Sequence, residues 1–522
     1  MEEGIAPEKD YALVWLSYSV HGNESSSTEA AMETLFSFAN TSNKKTMDWL
    51  KRTIVIIDPC INPDGRDRYV QFYTMTGTHP PDANVSTREH QEPWPGGRTN
   101  HYYFDLNRDW TWQTQVETVN RMQLYNSWMP HIHVDYHEQY FNEPYYFAPA
   151  AKPYHLQITS WQREFQKIIG KNHSRYFDNN NWLYFTKEHF DLLYPGYGDT
   201  YPIYNGAIGM TYEKAGGAAG GVSAITSDGD TLTLRSRIKH HHTTGLSTVE
   251  SAYKHKDRII KEFKYFFNKG IDNPISKYKT FVIKAGLNDP KREDLLRWLD
   301  THGIKYGNPM DDRTRSVRGY SYFLGKYDSF RIQENDIIIS ADQKKSVLTQ
   351  VLFEPITHYE DSLTYDITAW SIPYVYGLEA YALETVISQE SFNIHESSKV
   401  VHVWGDKPYA YLNPWKSVYD LKFLSEVLKN NIVARVSEEP FEVGGIVYDR
   451  GTLVITRKGN ETKGQRFDTL LRKISKKYNT NLGSVTSGLV TKGKDFGSST
   501  MRVVKAPKVA VLSGEEVSSY NF

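Results

Sequence analysis

Residues 11–24 read YALVWLSYSVHGNE, and this stretch decides the architecture. Its first ten residues are almost all apolar, aromatic or β-branched, the composition of a strand buried on both faces. The strand then opens into His21-Gly22-Asn23-Glu24. Loops at the carboxyl ends of strands are where α/β proteins build their sites. Outward from this point, strand and helix signals alternate. STEAAMETLFSFAN (27–40) places Ala31, Leu35, Phe36 and Phe38 at helical spacing, with Ser27 or Thr28 as cap. RTIVIID (52–58) is a short continuous apolar strand ended by Pro59, and a Pro-, Gly- and Asn-rich loop spans about 75–104. Helical residues near 113–127 precede the strand HIHVDYH (131–137). AIGMTYE (207–213) is a further strand, KAGGAAGG (214–221) a turn, and LSTVESAYKHKDRIIKEFKYFFNKG (246–270) a long helix. Continuous apolar strands separated by helices predict a mixed, mostly parallel twisted sheet flanked by helices.

Composition narrows the function. Among 522 residues, 61 Lys and Arg are balanced by 62 Asp and Glu, so the basic excess of a nucleic-acid-binding protein is missing. No apolar run approaches the roughly 20 residues of a membrane helix. The single cysteine, Cys60, excludes an internal disulfide and a thiolate metal cluster, and reads as a small buried hydrophobe. An aromatic share of 14% argues against disorder. The pattern divides near residue 270, into a chemically rich region (11–268) and a C-terminal α/β accessory region (275–522). In the latter, YKTFVIKAG leads to a helix that starts at Asp289-Pro290, and WKSVYDLKFLSEVLKNNIVARVS (415–437) repeats the helix-to-strand logic. VAVL (509–512) looks like a last strand. Neither MEEGIAPEKD at the start nor the tail resembles a designed terminus, and the first ten residues lack the basic and apolar parts of a secretory signal.

The chemistry lies in the first 215 residues. His21 and Glu24, three apart on one loop, can converge on a metal ion, and His137 at the end of its strand can supply a third ligand. Two His and one carboxylate leave the fourth zinc position open, which is the catalytic pattern. The series His21-x-x-Glu24, NPDG (62–65), GRTN (97–100), Asp105-Leu106-Asn107-Arg108-Asp109, DYH (135–137) and Thr211-Tyr212-Glu213 resembles the zinc carboxypeptidase family over roughly residues 11–265. GRTN…DLNRDW is closer to the regulatory than to the digestive members. The resemblance implies a mixed sheet sandwiched by helices and an enzyme that removes C-terminal residues from peptides and proteins. It implies one Zn²⁺ held by His21, Glu24 and His137, with Glu213 as general base, Arg98 facing the oxyanion, and Asn107 and Arg108 clamping the terminal carboxylate. Asp105 would fix the tautomer of His21 through its other ring nitrogen. A tyrosine upstream of the catalytic glutamate caps the substrate carboxylate in this family; Tyr194 is the first choice here and Tyr197 the alternative. Asp199 lies in the interval expected to form the specificity pocket, and no role is assigned to it.

Other features have plainer readings. NPDG is a turn after a strand, and His131 and His133, which alternate onto the face of Asp135 and His137, are structural. His240-His241-His242 reads as a solvated helix start, and Glu138 as a cleft-lining residue without a role. The family places two strands before the one that leads to HxxE, and ten residues are too few for both. The catalytic region therefore reads as truncated at its N-terminus, with 52–58 left as an edge strand. The family implies an extracellular or periplasmic location. Two rival functions share the motifs: an amidase acting on cell-wall or side-chain amides, and a catalytically inactive module that binds C-termini.

Overall fold

The computed structural model describes residues 10–272, 277–285, 289–309, 315–359, 364–365, 369–387, 392–393, 404–405, 407–514 and 517. Its first sheet has six strands. β1 (Ala12–Tyr18) lies between β2 (Thr53–Asp58) and β3 (Ile132–Gln139), all three parallel. β6 (Ile208–Ala215) continues the parallel set beside β3. The short strands β4 (Tyr145–Tyr146) and β5 (Tyr184–Phe185) complete the order β2-β1-β3-β6-β4-β5, β4 running antiparallel to β6. The fold class is thus a mixed, mainly parallel sheet flanked by helices. β2 is an edge strand whose Ile and Val side chains are only half-buried.

Alternation along the strands sorts the two faces. Val14, Leu16 and Tyr18 of β1, Val134 and Tyr136 of β3, and Met210 and Tyr212 of β6 join one apolar cluster. It is covered by α1 (Ser26–Ala39), α5 (Ser160–Asn179) and the long α7 (Leu234–Asp272). The intervening residues, Trp15, His133, Asp135, His137 and Glu213, point to the opposite face. There Trp15, Trp110, Tyr125 and Tyr201 merge into a cluster that also contains Phe281, Trp298, Ile337 and Leu348 of the second region. This second region holds a five-stranded antiparallel sheet built from residues 280–283, 315–321, 326–332, 337–340 and 380–383. A third sheet combines 410–413, 435–437, 453–456, 483–485 and 501–503. No helix among the described residues is long and apolar enough to cross a membrane.

Several local expectations change. Helix α1 buries Ala30, Ala31, Thr34 and Phe38, whereas Leu35 and Phe36 are 48% and 67% exposed. The buried stripe runs through Ser27, Ala30, Ala31, Thr34 and Phe38, so mostly small residues face the core. NPDG begins α3 (Pro63–Thr76) rather than a simple turn: Asn62 caps it by accepting from the Gly65 N–H, with Pro63 in the first helical position. The histidine run is not solvated, because α7 starts at Leu234 and carries the run inward. His241 is fully buried, with Nδ1 2.8 Å from the Tyr145 hydroxyl, and His240 packs 4.1 Å from the Trp182 ring centre. Residues 509–512 form no strand. The helix start at Asp289-Pro290 agrees with expectation, Asp289 accepting from the Lys291 N–H.

His302, on the helix Pro290–His302, ties the second region to the first. Its Nδ1 is 2.7 Å from the Tyr201 hydroxyl and its Nε2 2.9 Å from the Thr111 carbonyl oxygen, which both suit a neutral ring. Burial pushes its pKa down to about 3, as it does for His133 and His173. Below about pH 6.5 the unfolded chain binds protons that these native rings refuse. Their contribution is therefore complete above that pH and is lost as pH falls toward 3. The slope approaches about 1.4 kcal/mol per pH unit for each ring. Denaturant melts from pH 7 to 5 should show falling stability, with a shallower slope in His302→Gln; an unchanged slope would refute this assignment.

Candidate metal centre

The loop after β1 is shaped by close backbone packing. A Cβ on Gly22 would lie 2.1 Å from the Arg66 nitrogen, and one on Gly65 would lie 2.2 Å from the Gly97 carbonyl oxygen. Glycine is thus required wherever HGNE, NPDG and GRTN press on one another. Asn62 fastens the same junction: its backbone N–H donates to the Ser19 carbonyl at 3.0 Å and its side-chain amide to the Arg98 carbonyl at 3.0 Å. NPDG therefore positions both the HxxE loop and Arg98.

Three side chains converge at the carboxyl ends of β1 and β3. Glu24 Oε1 is 2.7 Å from His21 Nδ1, Glu24 Oε2 is 3.2 Å from His137 Nδ1, and the two Nδ1 atoms are 3.2 Å apart. All three residues are buried, and their ligand atoms lie within 4.8 Å of one another. The far ring nitrogens are engaged elsewhere. His21 Nε2 is 3.0 Å from Asp105 Oδ1, and His137 Nε2 is 2.9 Å from Asp135 Oδ2. Each imidazole thus has a carboxylate behind it and turns Nδ1 toward the shared point, the usual way proteins orient zinc-binding histidines. With two nitrogens and one carboxylate, this donor set suits Zn²⁺ with one position open.

Electrostatics bind the group tightly. Burial alone would raise the Glu24 pKa, but His21 and His137 outweigh it and hold the carboxyl well below its ordinary range. Burial alone would lower His137, but Asp135 and Glu24 hold it well above. Asp105 is likewise held low despite burial, by His21 and then Arg98.

The other sequence-derived candidates surround this point. Glu213 pairs with His137 in the parallel β3–β6 register, and burial pushes its carboxyl up to about 8. Glu24 and Asp135 raise it further, while His137 and Arg98 oppose the shift. Arg98 reaches Asp105 Oδ2 at 3.1 Å and Glu24 Oε1 at 3.5 Å. Asn107 is held by the Gly198 N–H, which donates to its Oδ1 at 2.8 Å, leaving its Nδ2 3.3 Å from His137 Nε2. The Arg108 guanidinium lies 4.6 Å from the ring centre of Tyr197. The Tyr194 hydroxyl accepts from Trp112 Nε1 at 2.8 Å, and its ring abuts Tyr197 at 4.9 Å. Asp199 is buried and accepts from the hydroxyls of Thr200 and Thr211 at 2.8 and 3.0 Å.

Two positions differ from the sequence reading. Glu138 does not line the cleft: it points to the opposite face, where Arg237 donates to both its oxygens at 2.9 and 3.0 Å and Ser26 donates from its backbone N–H. Successive strand residues face opposite ways, so the neighbour of a ligand on the cleft side is a neighbour on the helix side. Asp135 was passed over as a functional candidate, although its place two residues before His137 on the same strand face already put it beside that ring.

Residues 7–132 match the model of the zinc carboxypeptidase family. The resemblance to zinc carboxypeptidases is thereby shown for residues 7–132. That stretch contains His21, Glu24, Arg98, Asp105, Asn107 and Arg108 and ends before His137 and Glu213. No curated protein matches the sequence. Among solved structures, the chain is similar to a metallo-carboxypeptidase from Burkholderia cenocepacia, at 14% identity and a TM-score of 0.35, over 49% of this chain and 59% of that one. It is also similar to a metallo-carboxypeptidase from Pseudomonas aeruginosa, at 12% identity and a TM-score of 0.35, over 49% and 60%. A carboxypeptidase A from Helicoverpa armigera is similar at 12% identity and a TM-score of 0.31, over 49% and 62%. This chain thus spans less than two thirds of each relative. The zinc carboxypeptidase resemblance makes a metal test direct. Asp105→Asn and Asp135→Asn should each weaken zinc affinity by about 10- to 100-fold in chelator competition, without loss of fold. Wild-type affinity in both variants would show that these carboxylates do not orient the rings.

Proposed function

We propose that this protein is a zinc-dependent metallocarboxypeptidase that hydrolyses the C-terminal peptide bond of peptides and proteins. Residues 11–268 form its catalytic domain and 275–522 an accessory region. The observation that carries this reading is the convergence of His21 Nδ1, His137 Nδ1 and Glu24 with Glu213 on the adjoining strand. His21, Glu24 and His137 would hold one Zn²⁺, which supplies Lewis acidity toward the scissile carbonyl and toward water.

The protein's own groups account for the rest. Glu213 takes the proton from the attacking water and passes it to the departing amine; a carboxyl made more basic by burial is suited to both transfers. Arg98, charged and aimed at the centre from the Asp105 side, faces the carbonyl oxygen as negative charge develops on it. Asn107 and Arg108 bind the substrate's terminal carboxylate, for which a guanidinium fork is well matched. The Tyr197 ring packs on Arg108 and the Tyr194 hydroxyl is engaged by Trp112, which supports Tyr197 as the cap on that carboxylate, with Tyr194 behind it. Both Asn107 and Arg108 favour a free α-carboxylate in the substrate over the internal amide an amidase would take. A general base in the cleft favours catalysis over a module that only binds. Action outside the cytoplasm, extracellular or periplasmic, fits this reading.

Two outcomes test the proposal. Glu213→Gln should reduce release of C-terminal residues by at least about 10²- to 10⁴-fold while zinc content stays at the wild-type level. Turnover that survives this change would exclude Glu213 as the base. Secondly, a peptide with a C-terminal amide should resist hydrolysis relative to its free-acid counterpart. Equal rates on the two would remove Asn107 and Arg108 from the proposed clamp.

A further inference from the structure

The balanced charge of the whole chain conceals a division. Residues 407–514, which carry the third sheet, hold 19 Lys and Arg against nine Asp and Glu, a net +10, and the remaining residues sum to −11. The excess gathers on one side. A face of this sheet is covered by the helices Val418–Lys429 and Arg466–Lys477, which pack side by side. Phe423, Leu424 and Val427 of the first and Phe467, Leu471 and Ile474 of the second are buried against the sheet. The helical period then turns Lys422 and Lys429 outward on one helix, and Arg466, Lys473, Lys476 and Lys477 outward on the other; all six are exposed. Lys422 and Lys429 are seven residues apart, as are Arg466 and Lys473, a spacing of about 10 Å along each helix. The acids of these helices do not offset them. Asp420 is buried and caps its own helix, accepting from the Lys416 and Ser417 N–H groups at 3.0 and 2.8 Å. Asp468 accepts from Arg457 at 2.9 Å and from the Tyr411 hydroxyl at 2.7 Å. Glu426 accepts from the Tyr478 hydroxyl at 3.1 Å and stands 3.5 Å from Lys477 Nζ. The Arg472 guanidinium and the Lys476 ammonium lie 5.2 and 5.9 Å from the ring centre of Trp404, which sets an aromatic ring among the cations.

Like charges gathered on one face repel one another, and an anionic chain laid across them relieves that repulsion. At 0.1 M salt the screening length is about 10 Å, so neighbouring cations at this spacing act together on such a chain. The rest of the molecule narrows the partner. A long, continuous polyanion would run off this face onto a protein that is otherwise acidic, whereas a short acidic segment within a polypeptide is matched by it. Of the six outward cations only Arg466 carries the planar fork suited to fixed geometry. The other five are ammonium groups on flexible stems, which can follow carboxylates scattered along a chain. We propose that the outer face of the helices Val418–Lys429 and Arg466–Lys477 docks acidic segments of polypeptides. Resting on the carboxypeptidase reading, these polypeptides are its substrates: the face holds a protein by an acidic stretch while its C-terminus enters the metal centre. The third sheet would then select which proteins are processed, and the centre which bond is cut.

The test uses two fluorescent peptides of equal length and identical C-terminal half, one with a run of eight glutamates upstream and the other with glutamines in their place. Binding is read by anisotropy on the full chain carrying Glu213→Gln, so that neither peptide is consumed. The glutamate peptide should bind at least about 10-fold more tightly at about 50 mM salt and lose that advantage at about 300 mM. Arg466→Glu, Lys473→Glu and Lys476→Glu together should abolish the advantage, with melting temperature and affinity for the glutamine peptide unchanged. The same reversal at the exposed Lys51, Lys187 and Lys326 should leave the advantage in place. Equal loss in both triple variants would assign the preference to net charge alone and overturn the proposal. Tighter binding of a single-stranded oligonucleotide of equal charge would overturn it in favour of a nucleic-acid surface. Self-association that the three helix reversals abolish would overturn it in favour of a second copy of this chain. In the chain with Glu213 intact, kcat/KM for release of the C-terminal residue should show the same preference between the peptides, lost with the helix reversals. Turnover without that preference would refute the recruiting role. No turnover on either peptide would sink the hydrolytic reading alone, and the binding comparison would still decide the docking face.

Discussion

The parallel pairing of β3 between β1 and β6 is the constraint on which the site depends. It sets Ser17 beside Asp135 and His137 beside Glu213, and it brings the carboxyl end of β1, with His21 and Glu24, to the same edge of the sheet. Parallel strands all point their carboxyl ends one way, so three loops distant in sequence meet without any one of them being long. Side-chain alternation then decides which residues share the cleft. His133, Asp135, His137 and Glu213 fall on one face, while Tyr136, Glu138 and Tyr212 fall on the other.

Gathering carboxylates and imidazoles in a buried place is costly unless each charge is compensated. Here compensation is reciprocal. Glu24 stands between two histidines, Asp105 between His21 and Arg98, and Asp135 beside His137. On the opposite face Arg237 neutralises Glu138 and so pins the end of β3 to α7 and to the start of α1. Glu213 is the exception. Its carboxyl is pushed toward the neutral form by burial and by two neighbouring carboxylates, which is the condition of a group that exchanges protons.

Much of this was legible in the sequence because it is written locally. Continuous apolar runs marked β1, β2, β3 and β6, and short motifs marked His21, Glu24, His137 and Glu213 at strand ends. What escaped was decided by tertiary neighbours. Leu35 and Phe36 read as core because they are apolar and close to Phe38 in sequence, but the buried stripe runs through Ser27, Ala30, Ala31, Thr34 and Phe38 and leaves both off it. His240 and His241 read as solvated because polar residues give no sign that Trp182 and Tyr145 will cover them. NPDG read as a turn, whereas Gly65, with Gly22 and Gly97, answers to the close approach of three backbone segments.

Zinc content per folded chain, by elemental analysis of a monodisperse preparation, decides whether these strands assemble a metal centre. About one zinc per chain is expected, retained in Glu213→Gln and lost in His137→Ala. A chain demonstrably folded that takes up no zinc when it is supplied, or that holds it equally well without His137, would mean that His21, Glu24 and His137 do not form a zinc site.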